Sequence, residues 1–63
     1  MTFNTIYTKN YGSEKLGFYD LNGERYYIDV TEGYKGKTYL LRGDFKTFRS
    51  LAEVKKYLLD KHA

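Results

Sequence analysis

The sequence predicts an α+β domain: an antiparallel sheet of four to five strands, at about 2–9, 16–21, 24–31, 37–42 and 45–48, with one C-terminal helix at 50–62 packed on one face. Three observations carry this. Apolar residues alternate with polar ones through the first three quarters of the chain, as half-buried strands require. Asn22-Gly23 stands between two such segments, the short hairpin signature of a type I′ turn. Ser50 and Glu53 then precede an apolar stripe of helical period, with the spacing of a capping box.

At 63 residues the chain holds one domain, 1–63, since so small a fold buries only about 60% of the surface its unfolded chain exposes. It has no cysteine, so disulfides, thiolate zinc sites and thiol catalysis are excluded. The 8 tyrosines and 4 phenylalanines must therefore supply much of the core, each ring burying on the order of 150–250 Å². Tyrosine hydroxyls need water or a partner, so some of these rings are expected at the surface.

Along the chain, the first strand alternates Phe3, Thr5 and Tyr7 on one side with Asn4, Ile6 and Thr8 on the other, until Tyr11-Gly12-Ser13 turns it. The Asn-Gly turn sets Leu21 opposite Glu24, Asp20 opposite Arg25, Tyr19 opposite Tyr26 and Phe18 opposite Tyr27. Tyr19, Leu21, Tyr26, Ile28 and Val30 then share a core face, while Leu16, Phe18, Asp20, Arg25, Tyr27 and Asp29 share a partly solvated one. Gly33 and Gly36 bracket the next connection. Gly43-Asp44 fits a type II′ turn that returns 45–48 beside 37–42. In the helix, Leu51, Val54 and Leu58 form the core stripe, with Ala52 and Leu59 widening it and Tyr57 flanking.

Nothing in this pattern supplies catalytic machinery, and the chain is read as a non-enzyme with no cofactor and no metal. The one histidine, His62, is a terminal residue poorly held for proton transfer. Asp20 and Asp29 share a sheet face, but ordinary cross-strand pairing with Arg25 accounts for Asp20. The Gly33 to Gly36 stretch lacks the Gly-Lys-Ser/Thr ending of a phosphate loop. No apolar run reaches the roughly 20 residues of a membrane span and the first ten residues lack a signal-peptide core, so the expected location is cytoplasmic. The abundance of Lys, Tyr, Asn, Phe and Ile suggests an AT-rich bacterial or phage genome.

Charge is the functional lead. From Tyr34 onward 8 cations face 3 acids, a balance of +5, while the residues before it sum to −2. Residues 34–49 interleave Lys35, Lys37, Arg42, Lys46 and Arg49 with aromatics, the combination by which cations neutralise phosphates while rings stack on bases. The candidate nucleic-acid contacts are these five with Tyr34, Arg25 and Tyr27. The helix lysines project to different sides and form no basic stripe. The alternative is a protein-interaction or inhibitor role, possible as a homodimer, through the open sheet face with Leu16, Phe18, Tyr27 and Leu40.

The run from Phe45 to Leu58, following several strands, resembles the last strand and helix of the sheet-plus-helix DNA-binding modules at the N-terminus of some tyrosine integrases of phages and mobile elements. That resemblance implies an open sheet face in the major groove, with Arg25, Tyr27 and Arg42 at the matching positions. Asp20 and Asp29 on that face, an additional N-terminal strand and the lack of a following catalytic domain depart from the pattern.

Overall fold

In the computed structural model, which describes residues 2–62, strands β1 (Asn4–Lys9), β2 (Glu14–Leu21), β3 (Glu24–Gly33), β4 (Gly36–Leu41) and β5 (Lys46–Phe48) precede helix α1 (Leu51–Lys61). The strands form one antiparallel meander in the order β1-β2-β3-β4-β5, with the helix against β4 and β5. The α+β class, the five strands and the single helix are those the residue pattern predicts.

Local chemistry explains most of the boundaries. Asn22 at φ 52° and Gly23 at φ 80° make the left-handed pair that a type I′ turn requires, and the resulting register sets Tyr19 opposite Tyr26 and Phe18 opposite Tyr27. Ser50 caps the helix by accepting from the Glu53 N–H at 3.2 Å. The Glu53 carboxylate reaches back to the N–H of Arg49 at 2.9 Å, one residue earlier than a standard capping box, and joins the helix start to the end of β5.

The core lies between one sheet face and the helix: Tyr19, Ile28, Val30, Leu41, Val54 and Leu58 are buried, with Phe3, Leu21, Tyr26, Tyr39, Phe48, Leu51 and Tyr57 around them. At the far end of the helix, the Tyr26 hydroxyl donates to Glu24 at 2.6 Å and touches the His62 ring. That bond to a carboxylate pushes the phenol up to about 12. Tyr57 donates to Asp44 at 2.7 Å, and this bond together with Lys61 holds the Asp44 carboxyl below its usual range. Both ends of the helix are thus tied to the sheet.

Three local expectations give way. The pairing skips Ile6, passing from Thr5↔Gly17 to Tyr7↔Leu16, so a β-bulge moves Tyr7 onto the open face, away from Phe3 and Thr5. The β4–β5 connection runs to four residues, 42–45, where the sequence predicts a two-residue turn, so Arg42 and Phe45 both sit in it, Phe45 at φ 54° and 82% exposed, and β5 begins at Lys46. Leu59 and Ala52 point to solvent, because β4 and β5 cover only the Leu51, Val54 and Leu58 stripe.

Tyr19 is wholly buried, and its hydroxyl has no hydrogen-bond partner among the described residues. Burial also raises its phenol above the ordinary value. An unpaired buried hydroxyl costs about 1–3 kcal/mol. Tyr19→Phe is therefore expected to stabilise the fold by roughly 1 kcal/mol, visible as a rise of about 4–8 °C in the thermal midpoint. A lowered midpoint would show that the hydroxyl is paired.

Candidate nucleic-acid interface

Because each strand reverses the one before it, the meander sorts its connections between two ends. The β1–β2 and β3–β4 connections and the start of the helix lie at one end; the β2–β3 and β4–β5 turns and the end of the helix lie at the other. The Glu32 N–H, near the end of β3, donates to the Ser13 carbonyl at 2.6 Å, tying the first connection to the strand that leads into the second.

That end carries Lys9, Lys15, Lys35, Lys37 and Arg49, and among the described residues none of the five is in an ion pair. Lys35, Lys37 and Arg49 share the lining of an open recess of about 470 Å³. Two rings project beside them: Tyr11 from the first connection and Tyr34 from the second, each as exposed as a free side chain, at 111% and 103%. Tyr11 sits at φ 56°, a left-handed conformation that costs a bulky residue on the order of 1–2 kcal/mol and that glycine adopts freely. The turn holds it there: Asn10 donates from its side chain to Glu14 at 2.6 Å, and the Ser13 hydroxyl donates to the Asn10 carbonyl at 2.8 Å. A ring held in an unfavourable backbone position and contributing nothing to the core is the kind of local strain found at functional sites.

The other predicted contacts lie elsewhere. Arg25 makes a two-pronged pair with Asp20, at 2.9 and 3.4 Å, and its guanidinium lies 3.9 Å from the centre of the Phe18 ring. Arg42 grips Asp29 in the same manner at 2.6 and 2.9 Å. These bonds raise both guanidinium groups above their ordinary range while cancelling their charge toward an approaching anion. Tyr27 lies between them on the open face, 38% exposed and 6.1 Å from Phe18. Lys46 lies on the helix side at the opposite end, over the Tyr57 ring. The eight residues therefore divide: Tyr34, Lys35, Lys37 and Arg49 come together, whereas Arg25, Tyr27 and Arg42 lie on the open sheet and Lys46 stands apart.

Sequence reasoning missed Lys9, Lys15 and Tyr11, which precede the basic half of the chain. The signal was present in the connectivity, since the first and third turns of any meander share an end. Among the described residues no cluster of three or more acidic or histidine side chains could hold a metal ion, and no helix is long and apolar enough to cross a membrane. No family model, curated protein or solved structure matches this chain.

Proposed function

We propose that this protein binds single-stranded nucleic acid through the sheet end that carries Lys9, Tyr11, Tyr34, Lys35, Lys37 and Arg49. The observation that carries the reading is the coincidence, at one end, of cations in no ion pair among the described residues with two fully exposed tyrosines on the two connections there. Unpaired bases offer faces on which such rings stack, while the cations follow the backbone; a duplex keeps its base faces covered. The neutral open face has no comparable attraction for phosphate.

Fluorescence anisotropy with a labelled single-stranded oligonucleotide tests this. If four cations each neutralise a phosphate, the log–log salt slope is about −3, and affinity falls about 50-fold between 50 and 200 mM salt. Tyr11→Gly is the sharper arm. Glycine suits the φ of 56°, so the fold is retained or stabilised while affinity drops about 10-fold as the stacking disappears. No binding at low salt, or a Tyr11→Gly variant that binds as well as the parent, overturns the assignment.

A further inference from the structure

The sheet face opposite the helix is uncovered, and it is built unlike the rest of the surface. Tyr7 pairs with Leu16 and Phe18 with Tyr27, and Leu40 lies across Asp29, so apolar side chains from β1 to β4 line this face around the Arg42-bonded Asp29. Leu16 is only 8% exposed although the helix lies on the other side, because its neighbours on this face shelter it. The charged residues of the face are matched in number and position: Lys9 opposite Glu14, Arg25 bonded to Asp20, and Arg42 bonded to Asp29.

We propose that this face is covered by the same face of a second copy, forming an isologous dimer. Three features favour that occupant. The chain carries a net charge of +3 and repels itself over most approaches, whereas this face sums to zero and lets two copies meet without that cost. Its Asp–Arg pairs are satisfied within one copy, so covering them strands neither partner of either pair. Its size is within range: the molecule extends 35 × 22 × 18 Å, and the two longer dimensions bound the footprint of one face at close to the roughly 800 Å² per partner of a standard interface. The inference does not rest on the nucleic-acid reading, since it is argued from the open face alone, and Lys9, at the margin of that face, is the residue the two surfaces share.

Sedimentation equilibrium of the intact protein from about 5 to about 500 µM provides the test. The expected result is a monomer–dimer equilibrium, with Tyr27→Glu raising the dissociation constant at least about 10-fold while far-UV circular dichroism is unchanged. Should that variant fail to fold, concentration-dependent amide shifts in the unaltered protein replace it, and they are expected at residues 16–18, 27–29 and 40. A monomer at the highest concentration overturns the proposal and leaves the face to a different protein. So does a dimer that folded Tyr27→Glu leaves intact, or shifts confined to the outer edge of β1, which would mean strand pairing instead.

Discussion

Reversing two charges, Lys35→Glu with Arg49→Glu, is expected to lower affinity for single-stranded nucleic acid about 100-fold or more at 50 mM salt and to leave the folded state nearly unchanged. Each phosphate left without its cation takes about 0.7 off the salt slope, and at low salt two such vacated phosphates alone approach that factor before the added repulsion is counted. Both side chains are exposed and unpaired among the described residues, so no structural bond is broken. The hydrogen bond that joins this segment to the helix uses the backbone N–H of Arg49, which survives the substitution. A carboxylate just ahead of the helix also suits the positive end of the helix dipole. Arg42→Gln supplies the contrast: it strands Asp29, so it should lower stability while leaving affinity and salt slope within about twofold. An equal drop in affinity for both variants would mean that binding follows overall charge, and the localisation to one sheet end would fall.

The fold was legible where short-range chemistry decides conformation. Asn22-Gly23 set a turn and, through it, the registry of eight residue pairs, because a two-residue loop allows one alignment. Ser50 and Glu53 marked the helix start for an equally local reason. What escaped was decided by tertiary fit. The bulge at Ile6 has no signature in Phe3-Asn4-Thr5-Ile6-Tyr7, whose regular alternation reads as an unbroken strand; it arises where Phe3 must lie over Gly17 while Tyr7 lies beside Leu16. Leu59 read as core because helical period cannot tell how wide a stripe the sheet will cover.

The site was legible as composition and mislocated as geometry. Counting cations along the chain favoured 34–49, yet consecutive residues on a strand face opposite ways, and β4 travels from one end of the sheet to the other. Arg42 and Lys46 consequently lie far from Lys35 although they are close in sequence. Lys9 and Tyr11 are distant in sequence and share its end. Pairing mattered as much as placement: cross-strand register already aligned Asp20 with Arg25, but that Asp29 would claim Arg42 depends on the course of the chain beyond Leu41.

Gly17→Val is expected to remove roughly 3 kcal/mol of stability, a large share of the roughly 3–9 kcal/mol that a chain of this length possesses. Gly17 lies on the helix side of β2, where it pairs with Thr5 and the Phe3 ring covers it. A Cβ placed there lies 2.7 Å from the Asn4 carbonyl oxygen and closer still to the Phe3 ring. The ring can swing away only by giving up its edge-on packing against Tyr19, whose centre is 5.4 Å distant. The carbonyl belongs to the paired segment of β1 and has less freedom to move. Valine otherwise favours strands by up to about 1 kcal/mol, which reduces the loss without reversing it. Thermal denaturation should register a fall of roughly 12–24 °C. Phe3→Ala in the valine background separates the two obstructions: relief of the ring clash makes the double variant more stable than the sum of the single effects, while the carbonyl clash keeps it below the Phe3→Ala parent. A Gly17→Val midpoint within about 3 °C of the original would show that β1 does not pack over Gly17 in this way.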